Sequence, residues 1–286
     1  MDASITGSTI ENNKAVYYGG GIDAPGFNLL VISGSTITGN QTTAHQANAI
    51  YQGGGGVFID GEGASPALPA KISNTKIAGN RSAYDGCGVN AVKGVALTIS
   101  GSTISGNAGS ALGGGLCAFG SGANAVSLAV TTSTVSGNTA NSGGGIYAGD
   151  QDSAGAGGTL SISHSTITGN TAFRGGGGLY IDGSSSATIK DIAVTGNSAH
   201  YYGGGIFLNN ASGSIKGVAI SGNVAFEAGG GVSDRRRRGD HPDRQGHGQH
   251  RAERCQRVRD IHLYIRLSAA RFDLIQAKKY ARMALL

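Results

Sequence analysis

The chain has 286 residues, of which 52 are Gly, none is Trp and only 14% are charged. Collagen is excluded because Gly does not recur at every third position, and no run of about 18 apolar residues exists that could form a transmembrane helix. The net charge of +5 is unevenly divided: residues 1–232 carry eight basic and eleven acidic residues, whereas residues 233–286 carry fourteen and six. The chain therefore consists of two unlike segments.

A six-residue phrase ending in Asn recurs through the first segment. It reads Ser-Thr-Ile-Glu-Asn-Asn at 8–13 and Ser-Thr-Ile-Thr-Gly-Asn at 35–40. The eight copies end at Asn13, Asn40, Asn80, Asn107, Asn138, Asn170, Asn197 and Asn223. A Gly cluster follows each copy, and an insertion at 41–52 separates the second copy from its cluster. Self-similarity at a period of about 20–50 residues indicates a solenoid.

Apolar residues alternate with polar residues at three places in each repeat. One unit has Leu-x-Ile at 160–162, Ser-x-Ile at 165–167 and Leu-x-Ile at 179–181. This alternation predicts three short strands per repeat. Such strands bury their inward faces only when repeats stack, so we predict an all-β fold: a right-handed parallel β-helix of about eight three-strand coils. An amphipathic helix and a disordered Gly-rich linker are the alternatives, which the missing 3.6-residue period and the aligned Ile residues oppose.

Stacking of the repeats places equivalent side chains above one another. The Ile, Val and Leu residues are expected to form inward columns, and a hydroxyl column is expected at Ser8, Ser35, Ser102, Ser133 and Ser165. The recurring Asn predicts a ladder in which each side-chain amide bonds its neighbours and caps a tight bend. The Gly clusters are expected where the chain needs a positive φ or a close backbone approach.

The Asn phrase, followed by Gly-Gly-Gly-Ile-Tyr at 143–147, resembles the repeats of bacterial polymorphic outer-membrane proteins and of related pectate-lyase-like β-helix surface proteins. The resemblance covers residues 1–232. It departs from the polymorphic family at Ile37 and Ile167, where that family has Phe. The resemblance implies a secreted or surface-exposed passenger, as in autotransporters, often with an adhesive role.

Enzymes among pectate-lyase-like β-helices need two or three carboxylates that converge on one groove. Asp60 and Asp182 occupy equivalent positions but lie four coils apart, which favours a role in turns. Asp150 and Asp152 lie in a long loop, 149–158, beside another long loop at 120–127. Neighbouring long loops are typical of a binding surface on a solenoid, although a solvated loop is the simpler interpretation.

Two Tyr-Tyr pairs precede Gly clusters, at 17–18 and 201–202. Their rings are able to stack on sugars, although packing over the bend is the simpler interpretation. The predicted binding residues are therefore Asp150, Asp152, Tyr201 and Tyr202. The sequence predicts no catalytic residue, no metal site and no cofactor.

The second segment, 233–286, breaks the repeat. Asp234 falls where earlier units have an apolar or small residue, and Arg235–Arg238 follows directly. A basic arm that binds nucleic acid or anionic lipid is one interpretation. A frameshift is the other interpretation. Arg codons read one base later encode Gly, Ala, Val, Asp or Glu, so the shifted reading is compatible with a continued repeat that is rich in small residues. We expect a disordered or partly helical tail, or a frameshift product, and no nucleic-acid partner.

The predicted function is that of a fragment of a secreted or cell-surface β-helix passenger with a structural or adhesive role. The expected partner is a host surface or a polysaccharide, and the full-length form is expected to be associated with the outer membrane. We expect no signal peptide before the repeats in this chain and a solenoid that begins without a capping element. The alternative is a carbohydrate-active β-helix enzyme, a polysaccharide lyase or hydrolase.

Overall fold

The computed structural model describes residues 2–44, 52–86, 88–120, 124–150, 158–183 and 185–235. These residues form four sheets of eight parallel strands, and each sheet takes one strand from every coil. The chain is thus a parallel β-helix of eight coils, as the sequence predicts. The predicted tail lies outside the described residues from 236 onwards.

The first two sheets contain the strands before and within the Asn phrase. The first sheet consists of Asp2–Thr6, Leu29–Ser33, Leu68–Ser73, Val95–Ser100, Ser127–Thr131, Thr159–Ser163, Ser186–Lys190 and Ser212–Lys216. The second consists of Thr9–Glu11, Thr36–Thr38, Lys76–Ala78, Thr103–Ser105, Thr134–Ser136, Thr166–Thr168, Ala193–Thr195 and Ala219–Ser221.

The other two sheets lie on either side of the Gly cluster. The third consists of Lys14–Ala15, Gln41–Thr42, Arg81–Ser82, Ala108–Gly109, Thr139–Ser142, Thr171–Gly175, Ser198–Ala199 and Val224–Ala225. The fourth consists of Ile22–Pro25, Val57–Asp60, Val89–Val92, Leu116–Gly120, Ile146–Asp150, Leu179–Asp182, Ile206–Asn209 and Val232–Arg235. Coils 1 to 8 are numbered below in this order.

The predicted number of strands per coil, three, is wrong: the third sheet supplies a fourth. Most of its strands have two residues, as in Lys14–Ala15 and Ser198–Ala199. Two residues are too few to show an alternating pattern, so these strands are recognisable only from their pairing with the neighbouring coils. They also make the corner at which the candidate site lies.

The core consists of inward columns that run through the coils. In the second sheet Ile37, Ile77, Ile104 and Ile167 are fully buried, and their strands pair with equivalent residues opposite each other. Each buried aliphatic side chain contributes about 1.5–3 kcal/mol of transfer free energy. The predicted aliphatic columns are confirmed.

The predicted Asn ladder is present in every coil. In coil 5 the Asn138 Nδ2 group donates to Asn170 Oδ1 at 2.9 Å and to the Ile104 carbonyl of the preceding coil at 3.0 Å. The Asn138 Oδ1 atom accepts from the backbone and side-chain nitrogens of Asn107, both at 2.9 Å. Each interior amide therefore has its donors and its acceptor bonded although it is buried.

The predicted hydroxyl column is also present. The backbone N–H of Ser102 donates to Ser133 Oγ at 3.1 Å, and that of Ser133 donates to Ser165 Oγ at 3.1 Å. Thr75 occupies the same column in coil 3, and the buried side chains of Ile192 and Val218 replace the hydroxyl in coils 7 and 8.

The three glycines of a cluster have different roles, as coil 5 shows. Gly143 has a φ of 64°, which is in the left-handed region. Gly144 has an ordinary φ, but a Cβ there would lie 2.3 Å from the Thr171 carbonyl oxygen of the next coil. A Cβ on Gly145 would lie 2.6 Å from the Gly178 carbonyl oxygen. The cluster thus combines one conformational and two steric requirements for Gly.

The last described strand, Val232–Arg235, pairs with Ile206–Asn209 and continues the fourth sheet three residues past the predicted boundary at 232. Asp234 lies opposite Leu208, in a column that contains Ala, Ile or Leu in the other coils. The register agrees with the position that the repeat pattern assigns to Asp234.

Candidate functional site

A groove of about 440 Å³ lies on the surface of coils 6 to 8, at the corner between the third and fourth sheets. Its lining combines aromatic rings with charged and amide groups, and consists of Arg174, Tyr180, Tyr201, Tyr202, Phe207, Asn209, Glu227 and Arg235. A mainly apolar depression with a few convergent polar groups is the usual form of a ligand site.

A second groove, of about 390 Å³, lies over the third sheet in coils 2 to 4. Its lining is made of small and hydroxyl-bearing residues with Gln41 and Arg81, and contains no aromatic ring. It offers fewer groups that hold a ligand than the groove in coils 6 to 8, which we therefore take as the candidate site.

The repeat itself places three groove residues in one column. Arg174, Tyr201 and Glu227 each stand four residues after a ladder Asn. The Tyr201 N–H donates to the Arg174 carbonyl at 3.0 Å, and the Glu227 N–H donates to the Tyr201 carbonyl at 3.1 Å. These backbone bonds place the guanidinium group of Arg174, the phenol of Tyr201 and the carboxylate of Glu227 in consecutive coils along the corner.

Tyr202 lies in the next column, where it pairs with Gly175 and Ala228 of the adjacent coils. Its ring packs against that of Phe207 with centroids 5.5 Å apart. A Cβ on Gly175 would lie 2.8 Å from Phe207 Cδ1, so Gly at this position leaves room for the Phe207 ring. The corner and the fourth sheet thus present one continuous aromatic surface.

The outward face of the fourth sheet forms the floor of the groove. Tyr180 lies between Tyr147, at 5.3 Å, and Phe207, at 4.9 Å and nearly perpendicular to it. Tyr147 and Phe207 are each only 3% exposed although they point away from the core. This packing holds the half-buried ring of Tyr180 in place against the groove.

A hydrogen-bond network anchors the floor. Asp182 Oδ2 accepts from the Tyr147 hydroxyl at 2.9 Å, and Asp182 Oδ1 accepts from Asn209 Nδ2 at 2.7 Å and from the Gly183 N–H at 2.9 Å. Both oxygens of the Asp182 carboxylate accept hydrogen bonds, and the bond from Asn209 fixes that amide at the edge of the groove.

Burial raises the pKa of Tyr147 well above its ordinary value, and the charge of Asp182 raises it further. Burial, followed by the charge of Asp182, also raises the pKa of Tyr180, whereas a hydrogen bond with Asn209 and the charges of Arg174 and Arg235 act in the opposite direction. Both phenols are therefore neutral at physiological pH, and Tyr180 lies within the electrostatic reach of two guanidinium groups.

The charges that line the groove are available to a ligand. Among the ion pairs of the described residues, none involves Arg174, Arg235 or Glu227, and all three side chains are exposed. Guanidinium groups bind carboxylate or sulfate oxygens in a bidentate manner. The groove thus offers rings for apolar faces, an amide for hydroxyl groups and two cations for anionic substituents.

Two of the four predicted binding residues, Tyr201 and Tyr202, line this groove. They also pack against each other and against Phe207 at the bend, in agreement with the packing interpretation of the Tyr-Tyr pair. That these residues bind a ligand stays a prediction.

Asp150 ends the strand Ile146–Asp150 opposite Gly120, while Asp152 lies outside the described residues. The two long loops leave the fourth sheet at the paired residues Gly120 and Asp150, so their starting points are adjacent as expected.

Asp60 and Asp182 end equivalent strands four coils apart, in agreement with the repeat alignment. Each accepts a hydrogen bond from its own turn: Asp60 Oδ1 from the Glu62 N–H at 2.7 Å and Asp182 Oδ1 from the Gly183 N–H. Asp60 also pairs with Lys93 at 3.1 Å. Within the described ranges, no group of three His, Cys, Asp or Glu residues is placed to hold a metal ion.

Sequence reasoning missed an exposed row of aromatic residues beside the groove, formed by Phe173, His200 and Phe226. We call these three residues the aromatic ridge. A signal was present: each stands three residues after a ladder Asn, in three consecutive repeats. The same position holds Val16 in coil 1. Phe173 falls out of the column when the repeats are aligned on the first Gly of the cluster, because the cluster of coil 6 begins one residue early, at Gly175.

Among the described residues, no helix is long and apolar enough to cross a membrane. The comparisons with curated proteins and with solved structures gave no match. A family model described as right handed beta helix region matches residues 55–237, which is more than half of the chain and includes every residue that lines the groove. This match agrees with the predicted hand of the coil. The chain therefore belongs to the right-handed β-helix family.

Proposed function

We propose that this chain is a non-enzymatic, secreted or cell-surface β-helix with an adhesive role, and that it binds a polysaccharide in the groove of coils 6 to 8. The observation that carries the proposal is the combination of Tyr201 and Tyr202 with Arg174 and Arg235, two cations that form no ion pair with another described residue, in one groove.

The chemistry of a sugar chain matches this lining. Aromatic rings pack against the apolar C–H faces of sugars, and the Asn209 amide and the Tyr hydroxyls hydrogen-bond to sugar hydroxyl groups. The two guanidinium groups favour a polysaccharide that carries carboxylate or sulfate groups. Glu227 disfavours anionic groups at its own position, which restricts where such a substituent sits.

Rigidity supports a role in binding. The groove lies on three stacked coils whose Asn side chains are bonded from coil to coil. A preorganised surface loses little conformational entropy when a ligand binds. Weak contacts along such a surface are therefore sufficient for adhesion to a polymer.

A polysaccharide lyase or hydrolase remains the alternative, and Glu227 is the residue that favours it, because it is a carboxylate in a groove that also contains two arginines. Glycoside hydrolysis ordinarily requires two carboxylates about 5–10 Å apart. Among the described residues that line this groove Glu227 is the single carboxylate, and we therefore propose binding without cleavage as the first interpretation.

Affinity electrophoresis of the full chain in gels that contain heparin, polygalacturonate or neutral dextran tests the proposal. We expect retardation by at least one of the two anionic polymers and less retardation at high salt. Tyr202→Ala is expected to weaken binding about tenfold, which corresponds to about 1.4 kcal/mol. Tyr18→Ala is the matched control, since Tyr17 and Tyr18 precede an identical Gly-Gly-Gly sequence in coil 1.

Three outcomes would overturn the proposal: no polymer retards the wild-type chain, the two Tyr variants weaken binding equally, or dextran binds as well as the anionic polymers. Release of reducing ends or of unsaturated products from the polymer, lost in Glu227→Gln, would replace adhesion by the enzymatic alternative.

A further inference from the structure

The second site of interest is the aromatic ridge, Phe173, His200 and Phe226. We propose that the ridge is a second subsite for the same polysaccharide, so that one extended sugar chain crosses the corner from the groove to the ridge. This inference rests on the proposed function and adds to it the length of the ligand and a surface outside the groove.

The ridge has one ring in each of coils 6, 7 and 8. The rings of Phe173 and His200 are 5.3 Å apart and 2° from parallel, and those of His200 and Phe226 are 5.6 Å apart and 8° from parallel. Phe173 is 58% exposed and Phe226 is 80% exposed. An ordered, exposed row of apolar rings is a feature of interaction surfaces.

Tyr201 connects the ridge to the groove. Its ring contacts His200 at 4.5 Å and Phe173 at 5.8 Å, both edge-to-face, and its neighbour Tyr202 at 6.2 Å. Because Tyr201 also lines the groove, a ligand that leaves the groove past Tyr201 reaches the ridge directly.

The ridge occurs only in the coils that form the groove. Three residues after their ladder Asn, coils 1 to 5 carry Val16, Thr43, Ala83, Ser110 and Asn141. A ring at this position is therefore not required by the β-helix fold. Its restriction to coils 6 to 8 favours a ligand shared with the groove over a separate partner.

The residue types agree with a sugar chain. Phe rings offer apolar surface for C–H groups, and the exposed His200 imidazole adds a hydrogen-bond donor between them. Arg174 follows Phe173 directly and Glu227 follows Phe226, so the polar groups of the groove border the ridge along its length. A polymer that touches both surfaces gains affinity because the second contact is intramolecular.

The test compares long and short forms of one ligand. The full chain is titrated with full-length heparin and its disaccharide, and with polygalacturonate and its disaccharide. We expect Phe226→Ala and Phe173→Ala to weaken binding of the long chain about tenfold and to leave disaccharide binding within about twofold of wild type. Val16→Ala is the matched control, because Val16 is 53% exposed at the equivalent position of coil 1.

The outcomes separate the two proposals. If no saccharide binds the wild-type chain, the proposed function fails. If Tyr202→Ala weakens binding but the ridge variants bind the long chain as wild type does, the ridge inference alone is wrong. It is equally wrong if the ridge variants lower the thermal unfolding midpoint and weaken both ligands alike, or if they dissociate an oligomer in light scattering, because a second copy then covers the ridge.

Discussion

Coils 1 and 7 contain the same five residues, Tyr-Tyr-Gly-Gly-Gly, at 17–21 and 201–205. The first Gly of each cluster has a left-handed φ, 48° at Gly19 and 58° at Gly203, and the two rings of each pair are 6.3 and 6.2 Å apart. Identical local sequence therefore gives a closely similar corner. Only the corner in coil 7 lines the candidate site.

The difference lies in what the neighbouring positions contain. The outward residue of the fourth strand is Asp23 in coil 1 and Phe207 in coil 7, and two residues later Pro25 corresponds to Asn209. The residue before the Tyr pair is Val16 in coil 1 and His200 in coil 7. The repeat thus determines the backbone, while residues that vary between repeats determine whether a corner is able to bind a ligand.

The largest expected difference between the two coils concerns their ladder Asn. Asn197 Oδ1 accepts from the backbone and side chain of Asn170, and Asn197 Nδ2 donates to Ile167 and Asn223. Asn197→Ala leaves several buried groups without partners and is expected to lower the free energy of unfolding by about 3 kcal/mol. Asn13→Ala is expected to cost less than about 1 kcal/mol, because Asn13 is exposed and its side chain donates, among the described residues, to Asn40 alone.

Urea unfolding followed by circular dichroism measures both effects. Equal losses in the two variants would mean that the ladder does not stabilise the interior coils through its buried hydrogen bonds. Asn197→Asp provides a sharper test, since a carboxylate cannot donate to the Ile167 carbonyl and is expected to cost at least as much as Ala.

The next effect concerns the floor of the groove, which coil 1 lacks. Tyr147 has a raised pKa in the folded protein, so its contribution to stability is complete below pH 10, the unfolded-state pKa, and is lost as the pH rises toward the folded-state pKa. Above pH 10 the wild-type chain is expected to lose up to about 1.4 kcal/mol of unfolding free energy per pH unit from this group.

Tyr147→Phe is expected to reduce that alkaline slope, because Phe does not titrate. Urea midpoints at pH 9, 10 and 11 measure it, with Asp182→Asn as a second variant that removes the charge but keeps the size of the side chain. An unchanged slope in Tyr147→Phe would show that Tyr147 is not protected from ionisation by the fold.

Much of the fold follows from the sequence because the repeat displays it eight times. Asn138 and its equivalents occupy one position in every unit, and stacking alone makes them a ladder. The sequence does not predict the third sheet, because a two-residue strand such as Lys14–Ala15 has no alternating pattern of its own. It forms because the strands before and after it are already paired with the next coil.

The candidate site was only partly predictable for a related reason. Tyr201 and Tyr202 stand out as an adjacent pair, but Phe173 and Phe226 are isolated in the chain and become neighbours of His200 only through the pitch of the coil. A residue that varies between repeats has no equivalent in the other repeats that would support a prediction about it. Loop length is the feature that indicates Asp150 and Asp152, but it does not indicate which side chains come together in one site.

The smallest expected effect concerns Asp23, the residue of coil 1 that corresponds to Phe207 of coil 7. Partial desolvation by its neighbours raises the pKa of Asp23, although much of the side chain is exposed, and the charge of Asp60 raises it further. Because the folded state favours the protonated carboxyl, the contribution of Asp23 to the free energy of unfolding is complete below the unfolded-state pKa of 3.8. This contribution is lost as the pH rises through the folded-state pKa. The charged form of Asp23 therefore opposes folding at neutral pH, weakly, because its side chain is exposed.

Asp23→Asn is accordingly expected to raise the urea midpoint slightly at pH 7 and to leave it unchanged at pH 3, where the wild-type carboxyl is protonated. Asp60→Asn in the same background should make the effect of Asp23→Asn smaller, because it removes the second cause of the raised pKa. A gain of equal size at both pH values would assign the effect to packing instead of charge. The acidic residue in coil 1 would then differ from Phe207 in shape alone, and charge would have no part in making the two corners unlike.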